Sequence, residues 1–217
     1  DSPSLEVNSF TFTEDTASAF SVSVIEVDGD TLTITVDTLP TGGTLAISDG
    51  TLIAAGDTLT IENLEGIVFT PNANINSDLG GIGDLVLNIS DGVVTEANTI
   101  SLIVSAVNDA PVLGALASVD VLETIVKDAT ILSLTGTDVD GDTLSYSLTG
   151  DDADLFNVDS SGNVSFKVSP NFKAPGDVGL DNNYSLNLVV TDAAGATASS
   201  ILSINILDVK PGGQAID

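Results

Sequence analysis

Short runs in which apolar residues alternate with small polar ones, each closed off by Gly, Asp, Asn or Pro, fill this 217-residue chain. A period of two puts one set of side chains on a buried face and the other in water, the signature of half-buried strands. The runs fall at 19–25, 32–36, 58–61, 67–70, 85–89 and 100–107, and again at 129–134, 144–148, 155–158, 164–168, 184–190 and 200–206. No amphipathic helical stretch separates them, so no crossover is available to build a parallel sheet. The expected fold class is all-β, as antiparallel Greek-key β-sandwiches. Apolar residues make up 42% of the chain, enough to bury a core and unlike the composition of a disordered segment. Phe10, Phe12, Phe20, Phe69, Tyr146, Phe156, Phe166, Phe172 and Tyr184 are read as core.

The chain repeats itself. Residues 26–36, Glu-Val-Asp-Gly-Asp-Thr-Leu-Thr-Ile-Thr-Val, align with 138–148, Asp-Val-Asp-Gly-Asp-Thr-Leu-Ser-Tyr-Ser-Leu, at an offset of 138 − 26 = 112 residues. Glu14 pairs with Glu123 and Asp91 with Asp192 at nearby offsets, as loop insertions allow. A repeat of this period implies an array of domains. Pro111, in the stretch 106–112, stops a strand, and the expected domains are 1–109 and 110–217.

Charge narrows the partners. Four basic residues (Lys127, Lys167, Lys173 and Lys210) face 32 acidic ones, a net charge of −28, and residues 1–126 carry no positive side chain. Salt bridges cannot relieve that self-repulsion, so dissolved cations are the expected remedy. The same field repels phosphate backbones and anionic lipids, which excludes nucleic acid, and no apolar run reaches the ~20 residues of a membrane-spanning helix. With no Cys and no His there is no disulfide framework and no zinc or copper site. Asp138, Asp140 and Asp142 stand at i, i+2 and i+4 around Gly141, and Glu26, Asp28 and Asp30 stand likewise around Gly29. Such oxygens suit calcium, which takes six to eight of them. The EF-hand pattern fails, because its glycine and its twelfth-position acid are replaced by Thr143 and Thr149. Taken singly, each Asp-Gly serves equally well as a turn residue; repetition of the whole set favours metal. Weak calcium sites fill at the millimolar concentrations found outside cells, which points to secretion. The start at Asp1 lacks the basic-plus-apolar pattern of a signal peptide, and the chain reads as an internal piece of a longer one.

On these residues the second repeat resembles a bacterial cadherin-like domain, and the first a related cadherin or Ig-like repeat of large repeats-in-toxin (RTX) surface adhesins. The linker Asn108-Asp-Ala-Pro-Val112 closely resembles the linker between such repeats. The resemblance runs from about residue 5 to 209. It implies a calcium site or cluster at the junction, with Glu14 from the first repeat, Asn108 and Asp109 from the linker, and Asp138, Asp140 and Asp192 from the second. Asp142 belongs to the same turn. By the same logic Asp28, Asp30 and Asp91 face an upstream repeat, and Glu123 and Asp208 a downstream one. The sequence departs from the pattern at Asn171-Phe-Lys173, where an acidic ligand is usual. The neighbouring Asp177, Asp181 and Asn182 are read first as a solvated loop, and second as substitute ligands.

The implied function is that of a calcium-rigidified segment of a secreted bacterial adhesin, extending and supporting attachment at the cell surface and in biofilms. Its expected partners are the neighbouring repeats of the same long chain. The alternative is an adhesive module contacting a polysaccharide, a peptide or a second copy of itself. Catalysis would need only a carboxylate pair, but the acids sit in repeated turns and no imidazole or thiol exists, so a non-enzymatic role is expected.

Overall fold

A computed structural model describes residues 1–209 and 215–216. Two compact units divide it, Asp1–Val107 and Asn108–Asp217, so that Asn108 and Asp109 sit with the second. The first unit contains β1 (Ser4–Leu5), β2 (Ser9–Thr13), β3 (Ser18–Phe20), β4 (Val24–Ile25), β5 (Thr33–Thr38), β6 (Gly43–Ala46), β7 (Thr58–Leu59), β8 (Ile67–Pro71), β9 (Asp84–Ser90) and β10 (Thr95–Ser105). The second contains β11 (Val112–Leu113), β12 (Val119–Leu122), β13 (Thr130–Ser133), β14 (Gly136–Thr137), β15 (Ser145–Thr149), β16 (Phe156–Val158), β17 (Asn163–Phe166), β18 (Asn183–Thr191), β19 (Thr197–Val209) and β20 (Ala215–Ile216). Two single-turn 3₁₀ segments, Glu62–Leu64 and Ala153–Leu155, are the helical elements among the described residues.

Both units are wired alike. In the first, one sheet runs β2-β10-β9-β5-β7 and the other β3-β8-β6, with β1 pairing β4. The second unit answers with β12-β19-β18-β15, β13-β17-β16 and β11-β14. The ladders are antiparallel except at one edge of each larger sheet, where β2 runs parallel to β10 and β12 to β19. The antiparallel sandwich expected from the sequence thus carries one parallel edge pairing in each unit. The entering strand is broken in two: its first part pairs with β4 or β14, its second lies beside the last long strand, and the two pieces need no helical crossover. The run expected at 19–25 is also broken, because Val22 N–H leaves the ladder to donate to Leu64 O at 3.0 Å while Ser21 Oγ accepts from Gly66 N–H at 3.0 Å.

Alternation delivers each core. Along β9, Leu85, Leu87 and Ile89 are buried; along β18, so are Tyr184, Leu186, Leu188 and Val190. In the first unit Phe12 lies edge-on to Phe20 and Phe69, with ring centroids 5.4 and 5.0 Å apart. In the second, Phe156, Phe166 and Tyr184 form a triangle with centroids 4.3 to 5.6 Å apart. Phe10, Phe172 and Tyr146 pack against these clusters half-buried. The aromatic side chains therefore fill the two cores. Gly43 on β6 makes room for one of them: a Cβ there would stand 2.5 Å from Phe69 Cε2.

Candidate metal centres

The acidic turns occupy the same station in both units. Residues 26–30 link β4 to β5 and residues 138–142 link β14 to β15, and Gly29 and Gly141 take φ of 81° and 78°, which glycine adopts without strain.

In the second unit, Asp138 Oδ1 accepts the backbone N–H of Asp140 at 3.0 Å and of Asp142 at 3.3 Å, so one oxygen ties its own loop. Its Oδ2 is enclosed without a hydrogen-bond partner. Asp140 Oδ2 accepts the N–H of Asp109 at 2.7 Å. Asn108 Nδ2 donates to Asp192 Oδ2 at 2.9 Å, and Asp192 Oδ1 accepts from Gly195 and Ala196 at 2.6 and 2.8 Å. The Asn108 amide, followed by these backbone donors, holds the buried Asp192 carboxyl below the usual carboxylate range despite desolvation. Five of the expected ligands, Asn108, Asp109, Asp138, Asp140 and Asp192, are thus linked by direct hydrogen bonds, and Asp142 joins through its backbone.

In the first unit Glu26, Asp28 and Asp30 each offer a carboxylate oxygen, all within 4.8 Å of one another. Asp28 N–H donates to Glu26 Oε1 at 2.8 Å, and Glu26 Oε2 is enclosed without a partner. Asp91 Oδ1 accepts from Val93 and Val94, each at 2.7 Å, as Asp192 does from its own turn, and the Val94 and Val93 amides lower its pKa.

Glu14 and Glu123 also hold equivalent places, each following the strand that pairs in parallel. Glu14 is 1% exposed; its Oε1 accepts Val107 N–H at 2.5 Å and its Oε2 accepts Asn76 Nδ2 at 3.3 Å, so its bonded partners lie in the first unit. Glu123 accepts Phe172 N–H at 3.1 Å and Val209 N–H at 3.3 Å. These two amides, then Asp208 and Lys173, lower its pKa. Asp208 Oδ1 is enclosed without a partner.

The loop after Asn171 is not a wholly solvated one. Asp177 is 1% exposed, its oxygens accepting Asn182 N–H at 3.1 Å and Asp181 N–H at 3.0 Å. Asp152, 4% exposed, braces the same loop by accepting Val178 and Ser185 N–H, both at 2.8 Å. Asp152 and Asn76 were not singled out from sequence; their acidity or polarity is ordinary there, and only burial reveals them.

Residues 108–205 match the family described as Bacterial Ig domain. No curated protein matches the chain. Among solved structures, human Protocadherin-24 EC1-2 is similar at TM-score 0.65 and 20% identity, covering 95% of this chain and 99% of that one. Human Mucin-like Protocadherin EC1-2 follows at TM-score 0.57 and 21% identity, covering 96% and 99%. Human CDH23 EC21-23 matches at TM-score 0.64 and 14% identity, covering 96% and 70%. At these identities the likeness is one of fold. Both units have an all-β, cadherin-like Ig-type fold, and the second is similar to the Bacterial Ig domain family over residues 108–205.

Proposed function

We propose that the chain is a calcium-rigidified segment of a secreted bacterial adhesin of the RTX type, whose repeats extend and support attachment at the cell surface. One observation carries the reading: carboxylate oxygens of Glu26, Asp138 and Asp208 are enclosed without a partner in a chain whose first 126 residues contain no basic side chain. Enclosing an anionic oxygen with neither a donor nor a cation is costly, and a bound cation removes that cost. The donor set is all oxygen and largely carboxylate, which suits calcium and not zinc or copper.

Asn108, Asp109, Asp138, Asp140 and Asp192 hold the ion or ions of the second repeat, with Glu14 as the first repeat's contribution, as the family resemblance implies. Asp142 shapes the turn. Glu26, Asp28, Asp30 and Asp91 form the equivalent set toward an upstream repeat, and Glu123 and Asp208 face a downstream one. Bound calcium replaces repulsion among carboxylates with shared coordination, and so stiffens the linker.

Thermal unfolding in chelator and in millimolar calcium tests this. A site binding only the folded state stabilises by about 2.7 kcal/mol when calcium stands a hundredfold above the dissociation constant. The melting temperature is expected to rise by roughly 10 °C for a domain of this size. Asp192→Asn should lose most of the rise in the second repeat. Equal melting curves with and without calcium would end the reading.

A further inference from the structure

The two units differ at one sheet edge. In the first, the long connection from β6 to β8, residues 47–66, returns to cover β5. There β7 pairs with β5, Leu59 opposite Ile34; Val36 N–H donates to Asp57 O at 2.9 Å, and Gly56 N–H donates to Val36 O at 2.7 Å. In the second, the equivalent connection from β16 to β17 is the tight turn 159–162, and β15 closes the order β12-β19-β18-β15 with no strand beyond it among the described residues. Tyr146 and Leu148 stand in the repeat where Ile34 and Val36 stand, core-facing on an equivalent strand. Chirality therefore turns their N–H and C=O groups the same way, out of the edge. Among the described residues no backbone hydrogen bond meets them there. The side chains record the same difference: Ile34 and Val36 are each 1% exposed, whereas Tyr146 and Leu148 are only half-buried. Edges of this kind are commonly guarded by a charge, a proline or a bulge. Ser145-Tyr-Ser-Leu-Thr149 has none of these, and its register with β18 is unbroken.

We infer that the open edge of β15 is a docking site for an extended peptide segment of another protein, which joins the sheet as an outer strand. Main-chain hydrogen bonds to Tyr146 and Leu148 hold it, in the manner of strand addition. The first unit shows what such a segment must supply: an apolar residue opposite Tyr146, as Leu59 stands opposite Ile34. Charge sets the other requirement. Asp142 precedes the strand and Asp151 follows it, in a chain of net charge −28. A second copy, paired in either direction, would bring acid to acid at both ends, so the segment that fits carries basic residues flanking its apolar centre. The inference does not depend on the calcium reading.

Amide NMR of the whole chain, at about 0.15 M salt to screen unspecific charge, tests both the edge and its occupant. Without peptide, the Tyr146 and Leu148 amides should exchange with solvent at least about tenfold faster than that of Ser147, which alternation turns towards β18. The probe is a synthetic peptide with the central sequence Thr-Leu-Thr-Ile, that of residues 58–61, and two lysines at each end. It should shift and protect the Tyr146 and Leu148 amides with a midpoint below about 5 mM. The same peptide N-methylated at its four central residues, or carrying glutamates in place of the lysines, should bind at least about tenfold more weakly. Equal exchange of the three amides, no shift along β15 at about 5 mM peptide, or undiminished binding of either control peptide would overturn the inference. So would a shift of Tyr146 and Leu148 that grows with protein concentration alone, which would assign the edge to a second copy.

Discussion

Replacing Phe69 by alanine should unfold the first repeat early while the second keeps its stability. Phe69 is fully buried on β8, edge-on to Phe12 and pressed against Gly43. Removing its ring deletes the transfer free energy and leaves a cavity that the sheets cannot close, at a cost of about 3–5 kcal/mol. That is a large share of the total stability of a single domain, about 5–15 kcal/mol. Both tyrosines of the chain, Tyr146 and Tyr184, lie in the second unit, and there is no Trp. Tyrosine fluorescence therefore reports on the second repeat alone, and circular dichroism on both. In urea and chelator, the Phe69→Ala dichroism transition should split, one half moving down by on the order of 2 M, while the fluorescence transition stays in place. A fluorescence transition that moves with the dichroism would show that the two cores do not unfold independently.

Asp152→Ala should have the next largest effect, and in the other repeat. Its two oxygens satisfy the backbone N–H groups of Val178 and Ser185, at 4% exposure. Truncation leaves both donors without their acceptor, and each buried unsatisfied group costs about 1–3 kcal/mol. The loop so released contains Asp177 and leads back to Phe172, the donor to Glu123. A fall of about 2–4 kcal/mol in second-repeat stability is expected by tyrosine fluorescence, with Asp152→Asn, which keeps one acceptor, losing roughly half as much. A fall below about 0.5 kcal/mol, the level of an ordinary surface change, would mean that water takes over the carboxylate's bonds.

Much of this was legible in the residues. Leu85, Leu87 and Ile89 alternate cleanly with polar neighbours, so their strand and its buried face were readable from the period alone. The paired turns around Gly29 and Gly141 were readable because they recur, and the structure places them between equivalent strands. Three things were not legible. β2, β6 and β12 are short, and the parallel pairing of β2 and β12 depends on a strand break whose partners lie far along the chain. The burial of Glu14 was hidden for a similar reason: it is engaged by Val107 and Asn76, 93 and 62 residues away. Asp177 reads as part of a solvated loop and Asp152 draws no reading at all, because nothing in a single sequence says which loop will fold over them.

The claim that calcium stiffens the tandem is tested most directly by small-angle X-ray scattering of the chain, first in excess chelator and then in millimolar calcium, beside an Asp138→Ala, Asp140→Ala variant. Calcium should lengthen the maximum dimension and narrow the spread of conformations in the natural chain, and do so much less in the variant. Superimposable curves with and without calcium, or an equal response from the variant, would contradict the account.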